Sequence, residues 1–285
     1  MDYRIINVRT VHCNTYFARF QTRDLIFYLR QSDVDRISSS NLNTWMNRMQ
    51  LAHDDMYHLV GRRGVAGSTT IRSTRYIGAA GLSGNPILIA HANVTALMDD
   101  ITRHGCWSFV VLHELGHNFE GGAWWTFDTG AHGAPSTREF AANWMVAYVM
   151  SRRNATITRY GRIYVGIAGY RQYFYATSGG SYRNVFVHNI WDRNSYAHRF
   201  SGNALLYTFL SIEAQIGWEP FRQTFRYFNT LGSSTPPAPI DRVNLFLTRL
   251  RDFSGGRDVI GMMNPFSRFY YGLRFGGAGW AIRYV

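Results

Sequence analysis

The chain has 285 residues, 46% of them hydrophobic and 16% aromatic, which is enough to bury a sizeable core and excludes the disordered and low-complexity classes. Its 30 basic residues are all arginine, with no lysine anywhere, and against 18 acidic residues they give a net charge of +12. Two cysteines, Cys13 and Cys106, exclude a disulfide framework while leaving one bridge open, and no run of ~18 apolar residues is present to span a bilayer.

In chain order, residues 3–30 alternate in RIINVRTV and DLIFYLR, predicting two or more strands. A helix is expected near 40–60, where Leu42, Trp45, Met46, Met49, Met56 and Leu59 repeat at helical spacing behind the serine run 38–40, which offers an N-cap. That Met and Trp stripe reads as core. Ile71 to Ala90 returns to strand and is expected at a sheet edge, where an extended peptide can pair through its backbone. Cys106 reads as a small buried hydrophobe on the approach to the next helix rather than as a nucleophile. FVVLHELGHNF, Phe109 to Phe119, predicts a helix interrupted only by Gly116 and stopped by Gly121-Gly122. After a loop carrying Trp124, Trp125, Asp128, His132 and Pro135, a second helix is expected over Ser136 to Met150. Residues 154–185, rich in Tyr, Gly and Arg, read as a connection between two subdomains. Gly202 to Ile216 predicts a helix ending at Gly217, Glu219-Pro220 opens another, and TPPAP (Thr235 to Pro239) is a turn before an amphipathic helix from Asp241 to Phe253. The aromatic, glycine-rich end gives no domain signal. The expected architecture is α+β, one catalytic unit over residues 1–285, with a mixed α/β part to about residue 120 and a mainly helical part over 121–285.

HELGH, His113 to His117, carries the chemistry. Residues four apart on a helix share a face, so both imidazoles can reach one tetrahedral ion, while Glu114 lies beside that ion as a general base for the attacking water. With 10 His and five Glu in the chain, chance would supply the pattern about 0.006 times per sequence, so accident is set aside. A catalytic zinc takes three protein ligands, and the third must lie downstream. Glu139 is the candidate. Ser136 three residues before it also fits a capping box, in which Glu139 would serve backbone donors instead. Asn143, one turn further along the same face, favours the ligand reading, because its amide can hold a ligating histidine by the other ring nitrogen. His132 and Asp128 remain alternative ligands.

HELGHNFE, a tryptophan-bearing loop and then EFAANWMVAYV together resemble the enhancin or mucin-degrading peptidases, a gluzincin group. NLNTWMNRMQLAHDDMYHLVG (Asn41 to Gly61), GLSGNPILIA (Gly81 to Ala90) and FLSIEAQIGWEPFRQTFRYF (Phe209 to Phe228) are similar to further segments of that family, so the resemblance spans roughly residues 40–230. It implies a zincin fold, one Zn2+ per chain on His113, His117 and Glu139, Glu114 as base, and hydrolysis of protein or glycoprotein peptide bonds. Gluzincins also supply a tyrosine or histidine that stabilises the oxyanion. Tyr196 is chosen for that role, with His188, His198 and Tyr207 as alternatives. Members of the family are often long, exported and equipped with carbohydrate-binding modules, none of which is visible here. Mucin as substrate is therefore an expectation inherited from the resemblance.

MDYRIINVRT has no apolar core of a signal peptide, which leaves a removed leader or excision from a longer polypeptide open. Absence of lysine leaves ubiquitin no side-chain site, a property shared with lysine-poor catalytic chains of toxins that enter a host cytosol. Secretion or delivery into a host cell, as a toxin or virulence effector, is the expectation; an organism-wide preference for arginine is the alternative, and an origin in the cytoplasm stays open. The arginines are scattered and no groove-reading motif accompanies them, so specific nucleic-acid binding is not expected; acidic glycans suit the charge as well. The competing functional class is a non-catalytic basic, aromatic binding module that retains the peptidase fold.

Overall fold

A computed structural model describes residues 10–12, 15–75, 78–120, 136–159, 161–177, 201–263, 268, 272 and 280–285. The architecture is α+β. The chain divides into two compact units, one of Met1–Tyr57, Arg63–Phe119 and Met145–Gly169, the other of His58–Arg62, Glu120–Trp144 and Tyr170–Val285.

The first unit is built on a sheet. Strands β1 (Thr10–His12), β2 (Thr15–Gln21) and β3 (Leu25–Arg30) form an antiparallel meander, and β4 (Thr69–Thr74), β5 (Gly81–Leu82) and β6 (Ile87–Ala90) complete the order β1-β2-β3-β4-β6-β5. β3, β4 and β6 are mutually parallel, whereas β5 runs antiparallel to β6 at the edge. Alternation decides which face is covered: Leu25, Phe27 and Leu29 of β3, with Thr69, Ile71 and Ser73 of β4, are buried, and Phe27 is registered opposite Ile71.

A short helix α1 (Gln31–Val34) leads to α2 (Ser39–Val60), which supplies the crossover between the parallel strands β3 and β4. The Ser38 hydroxyl accepts from the Asn41 amide and caps its start. Trp45, Met46, Met49, Met56 and Leu59 face inward, and the Trp45 indole donates to the Trp107 carbonyl at 3.3 Å. The 71–90 segment is not one strand but three short ones, broken by turns that include Gly78 and Gly84 at positive φ. The sheet edge expected within it is β5. Helix α3 (His91–His104) follows β6 directly and buries Val94, Leu97, Met98 and Ile101. Helix α4 (Phe109–His117) carries HELGH and packs on β5 and β6.

Residues 154–177 do more than connect: β7 (Thr156–Arg159) and β8 (Arg162–Val165) form a hairpin and α6 (Gly166–Thr177) follows. Helix α5 (Ser136–Arg153) places Glu139 and Trp144 in the second unit and its C-terminal half in the first. The described elements that lie wholly in the second unit are helical: α7 (Ser201–Ile216), α8 (Glu219–Leu231) and α9 (Pro239–Phe253), with one turn of 3-10 helix over Gly232–Ser234. Their core is aromatic. Phe209, Phe221, Phe225 and Phe228 all pack with Phe246 of α9, and Phe209 and Phe221 also meet Trp144.

Arginine is used where a planar fork fits. Arg153 clamps Asp55 through Nε at 2.7 Å and Nη2 at 2.9 Å, and Arg30 grips Asp33 in the same manner at 2.9 and 2.8 Å. Both carboxylates are about fully buried, so two parallel charge-assisted bonds hold each, a geometry that lysine cannot reproduce. Arg249 and Arg251 lie over the rings of Tyr227 and Tyr284. Cys106 is a free, buried thiol whose pKa is pushed up by that burial, in keeping with a packing role; Cys13 lies outside the described residues.

Candidate metal centre

Helix α4 begins at Ser108, whose hydroxyl accepts from the Val111 amide, and ends at His117, two residues before the expected end. Its apolar face anchors it: Val111, Leu112 and Leu115 are fully covered, as is Phe119 just beyond. That leaves His113 and His117 half-buried on one face, one helical turn apart. The His113 ring stacks on Phe109 at 5.5 Å, which restrains its rotation, and meets His117 edge-on at 4.7 Å. Their Nε2 atoms are 3.1 Å apart. Two imidazoles on a tetrahedral zinc, with Zn–N of about 2.0–2.1 Å, have nitrogens about 3.3 Å apart, so the pair fits that ion with minimal movement.

Glu139, in the first turn of α5, is with the two histidines among the described residues that could hold a metal ion. Two imidazoles and a carboxylate are a donor set that suits zinc. Asn143, one turn further on, is buried, and its backbone carbonyl accepts from the Tyr170 hydroxyl at 3.0 Å. Glu114 is 8% exposed and projects toward the sheet edge: a Cβ on Gly81 would lie 2.7 Å from its Cγ and 2.9 Å from its Oε1. Only a residue without a side chain permits this approach.

Two further residues shape the site and carried no signal of their own in the sequence. Asn118 turns the chain out of α4, and its amide clasps Gly84 from both sides, accepting from the Gly84 N–H at 2.9 Å and donating to its carbonyl at 2.9 Å. The edge segment is thereby tied to the end of the helix that carries the histidines. Gly64 packs so closely on the Asn118 carbonyl that a Cβ there would sit 2.6 Å from the oxygen. The GLSGNP string hinted at this arrangement, but the partner on α4 was not legible. Tyr207 is half-buried on α7. Tyr196, His188, His198, Asp128 and His132 lie outside the described residues.

The sequence matches the family described as Peptidase M60, enhancin and enhancin-like, over residues 14–256. The chain belongs to that family. The family is described as one of peptidases, and the described residues of this member that could hold a metal include the histidine pair and Glu139. A mouse protein named TRPM8 channel-associated factor 3 is 26% identical over 172 residues, which is 60% of this chain and 16% of that protein. Two solved structures from Bacillus anthracis str. Ames share the fold at 10% identity: a mutant of a functionally unknown conserved protein, with a TM-score of 0.60 over 95% of this chain, and a functionally unknown conserved protein, at 0.59 over 92%. The M60 chain spans 49% of each of these.

Proposed function

We propose that this M60 chain is a zinc endopeptidase of the gluzincin type, acting on protein or glycoprotein substrates. The observation that carries the reading is the 3.1 Å approach of the His113 and His117 Nε2 atoms, and Glu139 is the candidate third ligand. When bound, zinc supplies Lewis-acid polarisation of the scissile carbonyl and lowers the pKa of water toward neutrality. Glu114, buried beside the histidines, takes a proton from the attacking water and passes it to the leaving amine. The backbone of β5, an antiparallel edge strand, supports pairing with an extended substrate. Asn143 orients a ligating histidine, and Tyr196 is the candidate oxyanion donor. The arginine excess suits acidic glycans on the substrate, and the lack of lysine suits secretion or delivery into a host cell.

The test is metal content. Purified protein is expected to hold one zinc per chain, and Glu139→Ala to bind it weaker by more than the ~10–100-fold that loss of a supporting hydrogen bond costs. Wild-type affinity in that variant would remove Glu139 from the ligand set. A second measurement probes the edge strand: Gly81→Ala is expected to keep its zinc yet lose roughly tenfold to a hundredfold in kcat/KM, because the new methyl displaces Glu114 by a fraction of an ångström to an ångström. Unchanged turnover would show that Glu114 does not work from the position described.

A second reading has one observation in its favour: the mouse relative is named as a channel-associated factor, which suits a binding module on a peptidase fold. The intact glutamate of HELGH favours the enzyme, since binding alone has no use for a base between the histidines.

A further inference from the structure

We propose that Asp24, His53 and Asp54 form a second divalent-cation site, separate from the HELGH centre, that takes a borderline transition ion such as Zn2+. Asp24 sits in the turn between β2 and β3, and His53 and Asp54 lie on α2. One ligand atom from each falls inside a 4.8 Å cluster. His53 Nδ1 is 3.9 Å from Asp24 Oδ2 and 3.8 Å from Asp54 Oδ1. Those separations exceed hydrogen-bond range, and around a tetrahedral ion with ligand distances of about 2.0–2.1 Å they would close to about 3.3 Å.

The decisive feature is the imidazole. His53 is 8% exposed, and its Nδ1 is fully buried with no hydrogen-bond partner, although it points between two carboxylates. An orphaned polar atom in that position costs stability unless something completes it. A divalent ion does so, with neutral imidazole and two carboxylates as the donors that first-row ions accept.

The surroundings are organised for this. Gln50 is locked by its Oε1, which accepts from the Thr22 hydroxyl at 2.7 Å and the Asp24 amide at 2.9 Å. Its Nε2 donates to Asp24 Oδ2 at 2.9 Å and to Asp54 Oδ1 at 3.0 Å, fixing both carboxylates and leaving one further lone pair on each of these oxygens, which the Arg23 guanidinium holds until an ion replaces it. Arg23 bridges the same two oxygens, with Nε 2.8 Å from Asp24 Oδ2 and Nη2 on Asp54 Oδ1. Its side chain is 58% exposed, so the guanidinium is a removable counter-charge that exchanges with the ion. The His53 ring also meets Phe119 edge-on at 5.2 Å, two residues past His117. An ion on His53 therefore braces the C-terminal end of the HELGH helix.

The experiment separates this site from the proposed catalytic one by working in a His113→Ala/His117→Ala background and titrating the metal-free protein with Zn2+ by calorimetry, with Co2+ absorbance as a second readout. One equivalent of residual binding is expected. His53→Gln in that background should weaken it at least about tenfold, taking the loss of a ligand to cost no less than the loss of its supporting bond. Arg23→Ala, a change at an exposed position, should tighten it roughly two- to fivefold by removing the competing ion pair. Opposite signs from the two variants cannot arise from misfolding. No residual equivalent, or weaker or unchanged binding in Arg23→Ala, would overturn the proposal and leave the HELGH reading untouched.

Discussion

Glu114→Gln is expected to lower kcat/KM on a protein or glycoprotein substrate by about 10²–10⁴-fold, the range that a positioned general base contributes, while zinc content stays that of the wild type. The substitution keeps the shape of a side chain that is only 8% exposed and lies against Gly81, so neither packing nor the edge strand has cause to move. What it removes is the ability to accept a proton. The substitution leaves the stacking of His113 on Phe109 and the helix that carries both histidines in place, and so zinc uptake serves as the internal control. Lost turnover with retained zinc assigns Glu114 to chemistry. Turnover within twofold of wild type would end the general-base role, and an unchanged biological effect with lost turnover would favour the binding module.

The parts of this molecule that were legible in sequence are those whose information is local. The period of Trp45, Met49 and Met56 behind Ser38 defined α2 to within a residue or two, and Pro220 and Gly217 bracketed the α7–α8 junction because proline and glycine constrain the backbone wherever they fall. Helix α3 escaped because it begins directly at the end of β6 with Ala90 as N-cap and no capping side chain, so its Val94, Leu97, Met98 and Ile101 stripe had no start signal. The β7–β8 hairpin and α6 escaped for a similar reason: Tyr170 and Tyr173 are core residues there, but tyrosines among glycines and arginines read as connection.

At the candidate site, the histidine pair was legible because both imidazoles share one helix, and Glu139 because it stands in the first turn of the next. The clasp of Asn118 on Gly84, the approach of Gly81 to Glu114, and the meeting of Asp24 with His53 were not, since each joins residues roughly 30 positions apart through a tertiary contact that carries no spacing rule. Asp54-Asp55 illustrates the limit. Two adjacent aspartates on one helix take opposite fates, Asp55 clamped by Arg153 in the interior and Asp54 turned to Arg23 and His53, and only the fold decides which.

Trp144→Ala is expected to destabilise the protein by about 3–5 kcal/mol, the cost of deleting a large buried aromatic whose neighbours cannot collapse into the space. Trp144 is 0% exposed and lies 4.7 Å from Trp218, 4.8 Å from Phe221, 5.9 Å from Phe140 and 6.2 Å from Phe209, ring centre to ring centre. These rings come from α5, α7, α8 and the turn before α8, so one side chain joins three helices. Trp144→Phe supplies the control. The indole Nε1 has no hydrogen-bond partner, so replacing it with a benzene ring forfeits volume but no polar contact and should cost less than half as much. Urea unfolding followed by circular dichroism reads both, and a cost below about 1 kcal/mol for the alanine variant would mean that the aromatic cluster is not the anchor of the second unit. The same helix carries Glu139 five residues earlier, and the position of that carboxylate depends on where α5 is seated. Trp144→Ala should therefore weaken zinc binding as well as stability, whereas a surface change such as Arg138→Ala on the same helix should do neither beyond about 0.5 kcal/mol. If the stability loss appears without any loss of zinc affinity, the first turn of α5 is held by contacts of its own, and the ligand reading of Glu139 stands apart from the core beneath it.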